Sequence, residues 1–200
     1  MSICSHHNPL IAITGGIGSG KTYVCKLLHE RGIDVYDCDA AAKRLMRENT
    51  VLRNRITTLV GEEAYSNGIL QKRVLAEYLL KSDKNREALN NVVHPAVAQD
   101  FVSSGFSWLE SAILFDSGFN TRVQFDYIVC VSAPVEIRLN RVAKRDNITR
   151  QKALEWIERQ LPQQQVEKLS DFVILNDGCT PLEEQVDLLL NNIDKIKHNK

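Results

Sequence analysis

Leu10-Ile11-Ala12-Ile13-Thr14 runs straight into Gly15-Gly16-Ile17-Gly18-Ser19-Gly20-Lys21-Thr22, and an amphipathic segment, residues 23–30, follows. An apolar strand, a G-x-x-x-x-G-K-[ST] loop and a helix, in that order, make a phosphate-binding loop. Glycine accepts positive φ and carries no Cβ, so successive backbone N–H groups can curl round an anion. The helix that follows adds the positive end of its dipole. The backbone of Gly16, Ile17, Gly18, Ser19, Gly20, Lys21, Thr22 and Tyr23 is therefore the expected contact for ATP phosphates. Lys21 can reach the β- and γ-phosphates, and the Thr22 hydroxyl is a candidate magnesium ligand.

The remaining chain shows what kind of body carries this loop. Two hundred residues, 44% hydrophobic and 25% charged, suit one globular domain, with or without an inserted subdomain. Lys+Arg and Asp+Glu balance at 25 each, so no global field draws the chain to nucleic acid or to a membrane surface. Anion sites must be built from local charges. The five cysteines are scattered, with no C-x-x-C pair, which suggests neither a disulfide framework nor a zinc site. Cys25 and Cys130 read as small core residues. The start of the sequence lacks a basic segment followed by an apolar one, and no apolar run reaches transmembrane length. These features predict a cytosolic enzyme with no obligate protein partner. His6-His7 reads as a solvated terminus.

Strand and helix patterns alternate along most of the chain. Ile33-Asp34-Val35-Tyr36 predicts a second strand ending at Asp37-Cys38-Asp39, with Asp39 as the N-cap of a helix over 40–48. Residues 49–102 read as helices only, at 51–60, 71–80 and 83–102, with His94-Pro95 starting a new helix or kinking the last one. Residues 108–115 predict a third strand. Tyr127-Ile128-Val129-Cys130-Val131 is continuously apolar, as a buried parallel strand is. Helices are expected from Pro134 to Arg145, with Ile137, Leu139 and Val142 inward, and from Thr149 to Gln160. Phe172-Val173-Ile174-Leu175 is the fifth strand, and a terminal helix spans 181–196, leaving 195–200 as a polar tail. The expected fold is α/β: three layers, α/β/α, around a five-stranded parallel sheet, with a helical insertion.

Ligands of an open parallel sheet lie beyond the carboxyl ends of its strands. That edge holds the phosphate loop and Asp39. An aspartate there can orient an acceptor hydroxyl and take its proton; it can equally do no more than cap its helix, and the residues alone leave both readings open. Arg141 and Arg145 lie one helical turn apart, with Lys144 beside them, and can clamp a transferring phosphoryl group or form a solvated basic face.

Taken together, an ordered set of segments resembles the dephospho-CoA kinase family from about Leu10 to Leu190. The set is Thr14 to Lys21; Asp37-Cys38-Asp39; Gly68-Ile69-Leu70-Gln71-Lys72-Arg73-Val74-Leu75; His94-Pro95; Arg138-Leu139 with Arg141 and Arg145; Gln160; and Asp171-Phe172-Val173-Ile174 with Asn176 and Gly178. The resemblance implies a P-loop kinase fold whose core is 8–38, 103–135 and 170–196. It implies a CoA-binding helical insertion at 39–102 and a lid at 136–169. It further implies that ATP, with Mg²⁺, phosphorylates the ribose 3′-hydroxyl of dephospho-CoA, giving CoA and ADP.

By the same resemblance Asp39 is the base, Lys21 and Arg141 hold the phosphates, and Asn176 lies near the adenine. Lys43, Arg73 and His94 line the acceptor site, and Glu110 helps hold magnesium through water. Three details depart from the family's pattern. Tyr23 follows Thr22 in place of a small residue; Glu110 and Asp116 exchange the usual acidic side-chain lengths; and Asn67 replaces an aspartate before Gly68. A nucleoside monophosphate kinase of the same fold, or a nucleotide-binding regulator without transferase activity, is the alternative. The absence of an N-K-x-D segment speaks against a GTPase.

Overall fold

The computed structural model describes residues 8–198; His6-His7, Cys4 and the last two residues lie outside it. The chain divides into two units. One comprises the residues up to Tyr36, Phe106–Asn120 and those from Gln124 onward; the other comprises Asp37–Gly105 with Thr121–Val123.

The first unit is a five-stranded parallel sheet in the order β2-β5-β1-β6-β7. Its strands are β1 (Ile11–Thr14), β2 (Val35–Asp37), β5 (Trp108–Glu110), β6 (Tyr127–Ser132) and β7 (Phe172–Leu175). Pleating sends alternate residues to opposite faces. Ile11, Ile13, Val129, Val131 and Ile174 share one buried cluster with Val24, Leu27 and Leu28 of α1 (Lys21–His29) and Val186, Leu189 and Ile193 of α10 (Leu182–His198). Cys130 and Ser132 face the other way: Gln163 Nε2 donates to Cys130 Sγ at 3.2 Å, and the Ser132 hydroxyl to Glu167 at 2.5 Å, both from α9 (Gln163–Lys168). Helices therefore cover both faces, as the alternating pattern requires. Beyond β6, α7 (Val135–Asp146) and α8 (Arg150–Glu158) form a hairpin with its own small core of Leu139, Val142, Ala153 and Ile157.

The second unit is built from α2 (Cys38–Glu48), α3 (Thr50–Val60), α4 (Lys72–Lys81) and α5 (Asp83–Ser104), with a hairpin of β3 (Tyr65–Ser66) and β4 (Ile69–Leu70). Leu45, Leu52, Ile56, Leu89, Val93, Val97 and Phe101 are buried there.

Several expectations are corrected. The third strand stops at Glu110: past Ser111 the chain turns back on itself, with Ser117 N–H bonded to Ile113 C=O and Phe119 N–H to Leu114 C=O. The apolar run at 112–115 reflects burial of Leu114, 1% exposed, in a turn. Residues 49–102 do contain strand. Asn67 (φ 50°) and Gly68 (φ 77°) form the two-residue turn of the β3–β4 hairpin, the geometry Asn-Gly favours. Pro95 does not divide α5, where the burial of five apolar side chains offsets one lost backbone bond. The helix α9 was not anticipated, since a six-residue Gln-rich segment carries no apolar period. The terminal helix continues through His198.

Candidate active site

The phosphate loop joins β1 to α1. At Gly15 (φ 140°) a Cβ would collide with the Val131 carbonyl of the neighbouring strand. At Gly20 (φ 98°), the N-cap of α1, it would collide with the Asn176 amide. Only glycine fits either place. Lys21, the first residue of α1, is folded back: its ammonium donates to the Gly15 carbonyl at 2.9 Å and lies 3.6 Å from the Glu110 carboxylate at the end of β5.

The carbonyl side of the loop is taken up by the protein. Asn176 Nδ2 donates to Ser19 C=O at 2.8 Å; Arg141 Nη1 lies 3.3 Å from the same oxygen and 3.4 Å from Gly18 C=O; Arg141 Nη2 donates to Asn176 Oδ1 at 2.9 Å. With these carbonyls held, the loop's remaining amides can turn to an anion. The N–H groups of Ile17, Ser19 and Tyr23, expected to meet phosphate, are instead bonded to Gln160 Oε1 at 2.7 Å, Gly16 C=O at 3.1 Å and Gly20 C=O at 3.0 Å. A cavity of about 190 Å³ opens there, lined by Gly18, Gly20, Lys21, Thr22, Arg141 and Arg145. Asn176 is 7% exposed and spends both amide atoms within the protein, on the Ser19 carbonyl and on Arg141. Thr22 and Tyr23 are exposed, and the Tyr23 hydroxyl reaches Glu183 at 3.2 Å, which raises its pKa. Arg145 is held by Asp146 at 2.7 Å, and that hydrogen bond raises its pKa.

Two residues of the loop's support were not singled out from the sequence. Arg138 is 4% exposed and donates from Nε to Ile17 C=O at 2.9 Å; burial lowers its pKa. Gln160 Oε1 accepts the Ile17 N–H at 2.7 Å. The expected inward stripe of α7 placed Ile137 inside, whereas the buried residues are Arg138, Leu139 and Val142. An apolar period hides a buried arginine. Both residues stood in the family-like set of segments, and that was the available signal. Asp116 accepts the Leu161 N–H at 2.8 Å, a task that leaves Glu110 as the acidic residue beside Lys21.

In the second unit, Asp37 rather than Asp39 is the N-cap of α2: its carboxylate accepts the Ala40 N–H at 2.9 Å. Asp-Cys-Asp offers two possible caps, and the point where β2 ends decides between them. Asp39 sits exposed in the first turn, with Lys43 exposed one turn later on the same face. Arg73 is turned to solvent on α4, its guanidinium 3.6 Å from Glu77. His94 is half-buried in the middle of α5. The structure thus sets Asp39 and Lys43 one turn apart on α2, and places Arg73 and His94 on other helices of the same unit.

No group of three or more His, Cys, Asp or Glu residues poised to hold a metal exists among the described residues. None of their helices is long and apolar enough to cross a membrane.

Against known proteins, the family model described as dephospho-CoA kinase (CoaE) matches residues 9–181. A dephospho-CoA kinase of Bacteroides fragilis is 39% identical over 183 residues, spanning 88% of each chain. That of Porphyromonas gingivalis is 39% identical over 193 residues, 92% of this chain and 93% of the other. A crystallised Thermus thermophilus protein superposes with a TM-score of 0.76 at 30% identity, covering 94% of this chain and 96% of that one.

Proposed function

We propose roles for the site residues from one premise: the chain belongs to the dephospho-CoA kinase family. Its reaction is the ATP-dependent phosphorylation of dephospho-CoA to CoA, the last step of coenzyme A biosynthesis. The observation that carries the site assignment is the phosphate loop itself, its Gly18 and Ser19 carbonyls bound by Arg141 and Asn176 beside a cavity lined by Gly18, Gly20, Lys21 and Thr22.

In the reading we favour, the loop amides and Lys21 hold the β- and γ-phosphates of ATP. Lys21 shifts from its contacts with Gly15 and Glu110 toward the phosphate oxygens. Arg141, with Arg145 beyond it, neutralises charge that develops on the transferring group, and the α7–α8 hairpin acts as the lid over it. Asp39 orients the ribose 3′-hydroxyl and accepts its proton as the phosphorus–oxygen bond to ADP breaks. Asp39 is suited to this because Asp37 has already satisfied the helix terminus. Lys43, Arg73 and His94 offer cationic and hydrogen-bonding partners for an anionic acceptor, and the helical unit that carries them is the CoA-binding insertion.

The donor set fits magnesium: the exposed Thr22 hydroxyl and the Glu110 carboxylate are oxygen ligands, and this ion characteristically keeps several waters and bridges phosphates. Bound there with ATP, it would neutralise phosphate charge. The described cysteines, Cys25, Cys38, Cys130 and Cys179, are free thiols, which suits a reducing cytosol.

A coupled assay for ADP release with dephospho-CoA, set against AMP, CMP and dTMP, tests the acceptor. Turnover confined to dephospho-CoA is expected. Turnover with a nucleoside monophosphate and none with dephospho-CoA would overturn the reading.

A further inference from the structure

Between Gly15 and Gly20, Ile17 is the one residue with a large side chain, and everything it can offer is gripped. Its N–H donates to Gln160 Oε1 at 2.7 Å, and its C=O accepts from Arg138 Nε at 2.9 Å. Its side chain packs against the core of the α7–α8 hairpin, formed by Leu139, Val142, Ala153 and Ile157. Arg138 lies in the first turn of α7, and Gln160 lies two residues past the end of α8. Both roots of one hairpin therefore close on a single loop residue.

The far root is itself pinned. Gln160 Nε2 reaches the Ala112 carbonyl at 3.4 Å, and the next N–H, that of Leu161, is bonded to Asp116 at 2.8 Å. Arg138 donates also to Gln163 Oε1 at 3.2 Å, and among the described residues it has no carboxylate within ion-pair distance. A buried cation left uncompensated beneath an anion-binding loop favours whatever anion the loop receives.

A run as rich in glycine as Gly15-Gly16-Ile17-Gly18-Ser19-Gly20 has much backbone freedom to lose. Unless the protein orders it beforehand, that cost falls on the ligand. We propose that Arg138 and Gln160 are positioning residues for ATP: by clamping Ile17 they hold the loop amides ready for phosphate and couple the α7–α8 hairpin to the loop. The proposal rests on reading the loop as the ATP site and adds the residues that set its affinity.

The test compares MgATP dissociation constants, by calorimetry without acceptor, for the wild type, Gln160→Met, Ile17→Gly and Ile17→Val. Methionine fills the space of glutamine without accepting the Ile17 N–H. Gln160→Met is expected to weaken MgATP about tenfold, the usual worth of one such bond, and Ile17→Gly, which drops the packed side chain and frees the backbone, to weaken it as well. Ile17→Val keeps a branched plug and should stay within about twofold. The KM for dephospho-CoA should hold near wild type, and so should the nucleotide-free melting temperature of Gln160→Met and Ile17→Val; Ile17→Gly gives up a packed side chain and should melt lower. Trp156, packed on the hairpin core, should report ATP in a Trp108→Phe background, at correspondingly higher ATP in the clamp variants. Unchanged ATP affinity in both clamp variants would overturn the proposal. So would an equal rise in both KM values with a lowered melting temperature, which marks a merely structural prop. Failure of the wild type to phosphorylate dephospho-CoA would count against the reaction, while the affinity comparison would still decide the clamp.

Discussion

Lys21 and Glu110 face each other at the floor of the phosphate loop, 3.6 Å apart, with side-chain exposures of 9% and 17%. One belongs to the helix after β1 and the other to the end of β5, the strand beside β1, so the parallel sheet places both at its carboxyl edge. For a pair this buried, removing one partner leaves the other uncompensated. Glu110→Gln should therefore change more than the position of Lys21. If Glu110 holds a water on magnesium, the Mg²⁺ concentration for half-maximal rate should rise about 10- to 100-fold, as for other outer-shell ligands. Titration of the initial rate with Mg²⁺ at fixed ATP checks this. An unaltered Mg²⁺ dependence with tighter ATP binding would reduce Glu110 to a resting partner of the lysine.

Asp37 takes the helix-capping role that the sequence offered to Asp39. Asp37→Ala removes the bond to Ala40 N–H and should cost about 1 kcal/mol of stability, read from urea midpoints. Asp39→Asn should leave stability within several tenths of a kcal/mol and lower turnover about 10²- to 10⁴-fold, the range for a lost general base. ATP affinity should hardly move, because the role proposed for Asp39 lies with the acceptor. Near-wild-type turnover in Asp39→Asn would remove it from the chemistry.

These pairs show how far the sequence could be read. The sheet, its parallel strands and the phosphate loop were legible because apolar runs, glycines and a lysine follow one another in a fixed order that few structures satisfy. The β3–β4 hairpin was equally written in Asn67-Gly68, but its strands are two residues long and carry no alternation to notice. The residues that support the loop stood in the family-like set, but the contacts they make were hidden for a different reason. Arg138 and Gln160 meet Ile17 across 121 and 143 residues of chain, and Asn176 meets Ser19 across 157. Contacts so distant leave no local period, and a polar residue that bonds to backbone looks in sequence like one that faces water. Asp39 was misread as a cap because strand ends fall within a residue or two of where patterns place them.

Arg141 and Asn176 act as one unit, bonded to each other at 2.9 Å and both to the Ser19 carbonyl. Asn176→Ala and Arg141→Lys should each raise the KM for ATP roughly tenfold. Their double variant should lose less than the sum, with a coupling of about 0.5 to 3 kcal/mol from a complete mutant cycle. Gly20→Ala should be more damaging than either, since its Cβ would displace the Asn176 amide and strain the backbone at φ 98°. Additive effects would mean that Arg141 and Asn176 contribute independently, and that bracing of the Ser19 carbonyl is not shared between them.

Cys130 gives the fold a measurable alkaline limit. Burial pushes its thiol up to about 11 from an ordinary 9.0, with the negative charge of Glu167 adding to the effect and the hydrogen bond from Gln163 opposing it. The folded protein thus keeps a proton that the unfolded chain has already lost between about pH 9 and 11. Stability is full below pH 9 and falls as pH rises toward 11, because the native state binds more protons throughout that window. The loss attributable to this thiol is roughly 2 to 3 kcal/mol. Urea midpoints taken at half-unit steps from pH 8 to 11 should show the decline, and Cys130→Ala should flatten it while lowering the plateau through lost packing. The same burial should protect Cys130 from maleimide at neutral pH, where the exposed Cys179 reacts. A decline of equal slope in Cys130→Ala would transfer the alkaline sensitivity to other groups.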